Sequence, residues 1–256
     1  MAQPQAPAPQ SPSEPSPASQ PATPKPPVPA KPTVKPAPKA PVVKVAITVN
    51  ADEAPDLTLW ANNMKRLCEK WYPKIADLLK SEGFTPPETF EIVLRKEMAI
   101  PARAWGTTIE VNAVDTRKNH GDLGMMIHEL THIIQAYPMQ KADLGWLVEG
   151  IADYVRFWIY EPKTKQAKID ITKATHKDGY RVTAAFLGWI ALKYDKEIVT
   201  KLNAKLRKGR CDETIFKDLL DKSVEDLWKE FVEAGAPESP EAQSAAAKPT
   251  KNAKKD

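Results

Sequence analysis

The chain has 256 residues, 25 of them Pro, with 10 Gly, two Cys and a formal charge of +4 at pH 7. Fifteen prolines fall in residues 1–41, a stretch with no aromatic residue and no glycine, which offers too little apolar surface to offset the entropy of ordering. Residues 1–41 carry four Lys and one Glu, and residues 237–256 carry four Lys and three acids. Residues 42–236 balance 29 basic against 29 acidic residues. A domain neutral in this way lacks the excess positive charge that nucleic-acid binding demands.

In chain order, residues 1–41 read as a disordered Pro-rich arm, polyproline-like with several P-x-x-P spacings, serving as a spacer or as a docking ligand. Its opening MAQPQAPAPQ lacks the charged and apolar regions of a secretory signal. Residues 42–49 (VVKVAITV) predict a β-branched strand. A helix is expected over about 56–82, with Leu59, Asn63, Leu67, Trp71, Ile75, Leu78 and Leu79 roughly on one side. Pro73 should kink or divide it and Gly83 should end it. Residues 90–97 and 105–114 read as two more strands. Helical periodicity then prevails over roughly 122–136, 143–160, 179–194, 195–208, 212–221 and 223–234, and 237–256 is a second disordered tail. Strands first and helices afterwards predict an α+β domain over 42–236, a small and mostly antiparallel sheet packed on a helical half. No run of about 18 apolar residues occurs, so no membrane span is expected. Cys68 and Cys211 read as two buried thiols or as one bridge.

Two of the four histidines lie in HELTH, where His128 and His132 are four residues apart. One helical turn returns the second imidazole to the face of the first, so both can reach one metal ion, and Glu129 is placed to act as general base toward a water on that metal. Leu123, Met126, Ile127, Leu130, Ile133 and Ile134 surround the motif, and polar groups carried into such an apolar setting are costly unless they are paired or bind metal. Catalytic zinc wants a third protein ligand. The next predicted helix, WLVEGIADYVR, offers Glu149 and Asp153 on one face. Glu149 is assigned as ligand and Asp153 as the carboxylate behind a ligand histidine; the exchanged assignment, or pairing of these acids with Arg156, stays open. Other signals are weaker. The run 193–210 has seven basic residues against two acids and reads as a solvated helix face or an anion site. Six tryptophans after Trp60 read mostly as core.

HELTHIIQ followed by EGIADYVR, GYRVTAAFLGWI and KSVEDLWKEF resembles the plant basic secretory protein family and its bacterial relatives. The resemblance covers about residues 42–236 and implies a zincin-like zinc metallopeptidase. The Glu-then-Asp arrangement is also similar to gluzincins, which implies His128, His132 and Glu149 as zinc ligands, Glu129 as base and Asp153 as support. It further implies a secreted or periplasmic protein acting on peptides, although no signal peptide is legible. Tyr180 is the candidate second electrophile for the oxyanion, with His176 as the alternative. Residues 104–108 resemble in position the edge strand that gluzincins offer to substrate, or form a core strand with Trp105 buried. Gln135 reads as a cleft residue or a polar helix end. A monomeric peptidase is expected, and a non-catalytic, metal-retaining binding or defence-type module is the alternative.

Overall fold

A computed structural model of the chain describes residues 44–138, 144–163, 169–210 and 212–236. The Pro-rich arm, the C-terminal tail and Cys211 lie outside the described residues. The domain is α+β. Strand β1 (Ala46–Asn50) leads through a 3-10 turn into helix α1 (Thr58–Leu78), followed by β2 (Thr89–Arg95), β3 (Ala102–Trp105) and β4 (Thr108–Asn112). Helices α2 (Ala113–Lys118), α3 (Leu123–Gln135), α4 (Gly145–Tyr154), α5 (Tyr180–Lys193), α6 (Ile198–Arg207), α7 (Thr214–Leu220) and α8 (Val224–Glu233) complete it. No helix among the described residues is long and apolar enough to cross a membrane.

The sheet has the order β1-β2-β4-β3, and it is mixed, not mostly antiparallel. β1 and β2 run parallel because α1 is the crossover between them, and β2 is also parallel to β4. Only β3 and β4 are antiparallel. The single strand expected over 105–114 is in fact the second arm of a hairpin that turns at Gly106, whose φ of 58° suits a residue without Cβ. Ile47, Phe90, Ile92, Leu94, Ile109 and Val111 share the buried face of the sheet. Trp105 falls on the opposite face and is 76% exposed, which overturns its placement in the core.

Helix α1 runs through Pro73 without dividing. Its buried face is Ala61, Met64, Cys68, Tyr72, Ile75 and, just past its end, Leu79, about a quarter turn from the centre of the expected stripe; Ile75 and Leu79 belong to both, while Leu59 is 72% exposed. On this side the Tyr72 hydroxyl donates to the Pro87 carbonyl. Burial pushes the Cys68 thiol up to about 12, so it is inert. From α6, Asn203 donates to the Leu79 carbonyl beyond the end of α1 (2.7 Å). Arg207 donates to the same carbonyl (2.7 Å) and to Ile134 O (3.0 Å) and Gln135 O (3.4 Å) at the end of α3. Its guanidinium stacks 3.5 Å from the Phe84 ring centroid. Others of the basic run are spent on nearby acids, Lys193 on Glu230, Lys201 on Asp195, and Lys205 and Arg210 on Asp218.

The helical half closes on α4 and α5. A Cβ on Gly150 would lie 2.1 Å from Thr183 Cγ2, so the absence of a side chain is what lets these two helices meet. Gly150→Ala should therefore lower stability by about 1–3 kcal/mol, read from urea unfolding. Glu230 joins α8 to the end of α5, accepting from Lys193, Lys222 and the Tyr194 hydroxyl. Lys193 first, then Lys222 and Tyr194, hold its carboxyl down to about 2 from an ordinary 4.5. Stabilisation from a depressed carboxylate is present above the unfolded value and is lost as pH falls through the folded one. Glu230→Gln should thus be less stable than wild type at pH 7, with the difference shrinking between pH 5 and pH 2.

Candidate metal centre

Helix α3 opens at Asp122, whose side chain accepts from Met125 N (3.2 Å), and presents His128 and His132 one turn apart. Met126, Ile127, Leu130, Ile133 and Ile134 are fully buried and fix which side of the helix faces the cleft. Helix α4 likewise sets Glu149 and Asp153 one turn apart, with Leu147 and Ile151 in the core.

The two helices bring three donor atoms together. His128 Nε2 lies 3.1 Å from His132 Nε2 and 3.1 Å from Glu149 Oε2, and His132 Nε2 is 3.4 Å from the same carboxylate oxygen. Each imidazole is held from behind. His128 Nδ1 is 2.7 Å from Asp153 Oδ1, and His132 Nδ1 is 2.7 Å from Gln135 Oε1. The Gln135 amide nitrogen donates to Val148 O (3.0 Å), which fixes the amide so that its oxygen faces His132. With both Nδ1 atoms facing acceptors, the two Nε2 atoms and the carboxylate oxygen converge on one point, where a shared proton or a metal ion offsets their mutual repulsion. The 3.1–3.4 Å separations match the edge of about 3.3 Å of a tetrahedron with bonds of roughly 2.0–2.1 Å, the geometry of zinc with His and Glu ligands. The donor set therefore fits a divalent metal ion.

Protons feel the same field. Burial pulls the His128 imidazole down, but Asp153 and Glu149 outweigh it and bring the group up to about 9. Burial acts to raise Glu149, yet hydrogen bonding to the two histidines takes it down to about 2. Glu129 is also buried, and this burial raises its carboxyl despite the nearby imidazoles and the facing Ala104 amide.

Glu129, Tyr180 and the three donors all line one open cleft of about 530 Å³, bordered on one side by β3. The Asn112 amide donates to Pro101 O (2.8 Å), and the alternation of an antiparallel ladder then leaves the main-chain groups of Ala102 and Ala104 pointing away from β4. Since β3 ends the sheet, those groups face the cleft side. The Tyr180 ring lies nearly parallel to His128, 6.1 Å between centroids, with φ at 47° and 55% exposure. Glu149 chiefly, and then burial, raise its phenol.

Three expectations need correction. His176 is not in the cleft; it is buried with Nε2 3.1 Å from Glu213 Oε1 and its ring edge-on to Trp146, in the seam with α7. Gln135 does not line the cleft either, being 2% exposed behind His132. Its offset of three from His132 in the sequence was the signal for that partnership. Arg156 pairs with Asp122 and Glu161, not with Asp153.

Residues 107–231 match the model of a family described as BSP, peptidase of plants and bacteria. No curated protein matches the chain. From the geometry, Glu149→Ala should weaken zinc binding more than Asp153→Asn, and Asp153→Asn by about 10–100-fold, measured by chelator competition. Gln135→Leu should act in the same direction.

Proposed function

Because residues 107–231 match the BSP family of peptidases, we propose that the protein is a zinc-dependent peptidase using Glu129 as general base. In this reading His128, His132 and Glu149 hold the metal, while Asp153 and Gln135 orient the two imidazoles. The observation that carries it is the convergence of three acceptor atoms within 3.4 Å beside a buried carboxylate.

Zinc bound by these residues supplies a Lewis acid that brings the pKa of water toward 7 and polarises a carbonyl. Glu129 takes the proton from the attacking water and returns it to the departing amine, so the peptide bond is exchanged for a carboxylate and an amine. Its burial suits this role, because a carboxyl raised above the usual range holds a proton more readily. Asp153 holds the His128 ring in the tautomer that keeps Nε2 free, and Gln135 does the same for His132. The outward carbonyls of Ala102 and Ala104 and the Ala102 amide pair with an extended substrate as an added strand, while the Ala104 amide faces Glu129. Tyr180, exposed at the cleft with its hydroxyl protonated, donates to the developing oxyanion.

The deciding experiment joins metal analysis to hydrolysis of a peptide mixture. Wild type should hold about one zinc per chain and cleave peptides. Glu129→Gln should keep the metal and lose roughly 10²–10⁴-fold in rate, and His132→Ala should lose the metal itself. Equal rates for wild type and Glu129→Gln would remove the base assignment. A wild type that loads zinc and cleaves nothing would establish the non-catalytic binding module instead. Tyr180→Phe should lower kcat with KM little changed, since the hydroxyl serves the transition state.

A further inference from the structure

Three guanidinium groups line the cleft, those of Arg103, Arg156 and Arg181. Two are already matched. Arg103 Nε lies 2.6 Å from Glu110, and Arg156 is held by Asp122 at 2.6 Å and Glu161 at 2.9 Å. Arg181 has no carboxylate partner among the described residues. Asp170 and Asp178, which share a shallow surface hollow with it, are engaged by Lys173 and by Thr172 and Thr175.

The position of Arg181 is nevertheless defined. Its guanidinium lies 5.3 Å from the centroid of the Phe157 ring, and that ring also carries Arg156 at 4.6 Å. Phe157 is buried in the π-helical turn Val155–Tyr160 that continues α4, so the platform belongs to the same rigid segment as Glu149 and Asp153. The backbone before Arg181 is equally restricted, with φ of 70° at Gly179 and 47° at Tyr180. Arg181 also occupies the first turn of α5, which contains no acidic residue, and a cation there opposes the helix dipole. An unmatched cation, stacked in place at a stability cost and bordering the metal centre, suits a ligand that brings its own negative charge.

We propose that Arg181 is a specificity-determining residue that receives a carboxylate of the peptide substrate. The inference rests on the peptidase reading above and names the chemistry of the preferred substrate. That carboxylate has two sources, an Asp or Glu side chain near the scissile bond or the free C-terminus of a short peptide, and the same contact serves both.

The test uses the full-length zinc-loaded protein and matched peptides that carry Asp, Asn or Lys at one position after another around a cleaved bond. Each is made with a free and with an amidated C-terminus. The readout is the ratio of kcat/KM for the acidic peptide over its amide counterpart, which is internal to each variant and therefore insensitive to the amount of folded protein. Wild type should prefer the carboxylate about tenfold at one position or at the C-terminus, the scale of one charge-assisted contact in a solvated cleft. The ratio should fall to about one in Arg181→Gln, stay above one in Arg181→Lys, and drop below one in Arg181→Glu. Dependence on the internal residue identifies a side chain as the source, and dependence on amidation identifies the C-terminus. An equal preference in wild type and Arg181→Gln overturns the inference while leaving the peptidase intact. If wild type cleaves nothing, fluorescence anisotropy of the same labelled peptides decides. Tighter binding of the acidic peptide that disappears in Arg181→Gln upholds the carboxylate contact without hydrolysis, and indifferent binding ends it.

Discussion

Three metal-ligand-type atoms, two imidazole nitrogens and a carboxylate oxygen, are held within 3.4 Å at the meeting of α3 and α4. Neither helix can relax away. α3 is seated against the sheet by a largely apolar back, and α4 is pressed on α5 through a glycine whose missing Cβ admits Thr183. The edge strand β3 contributes alanines at its inward positions, so the helix carrying HELTH can lie close beside an open sheet edge. The fold thus supplies convergence, rear support for each ring and an adjoining main-chain edge around the candidate site.

Much of this was legible in the sequence because helical spacing is local. His128 and His132, like Glu149 and Asp153, share a face for reasons that need nothing beyond 3.6 residues per turn. That the two pairs meet also followed from the apolar neighbours that bury both segments. The family match over 107–231 spans the same motifs that prompted the resemblance.

What escaped the sequence depended on partners far along the chain. Parallel pairing of β2 with β4 arises because β3, which separates them in sequence, lies outside β4 at the sheet edge, and alternation within a strand carries no such information. Trp105 looked like core, yet the strand is half-buried and its register assigns that position to the open face. The inward side of α1 was misread because large residues such as Leu59 outweighed Ala61 and Cys68, although small side chains are what close helix packing selects. His176 drew attention as a rare titratable residue near Tyr180, but its partner Glu213 lies 37 positions later.

Arg207 adds a temporal dimension to the architecture. One side chain closes the carbonyl ends of both α1 and α3, the second of which carries HELTH. A ribosome makes every donor of the candidate metal centre 58 residues or more before it makes this clamp, counting from Glu149 to Arg207. Until α6 emerges, the HELTH helix has its ligands but an unfinished terminus, exposed to fraying of the turn that contains His132 and Gln135. The order of synthesis therefore separates possession of the chemical groups from their rigid presentation, and a growing chain acquires the second only when the helical half is largely complete.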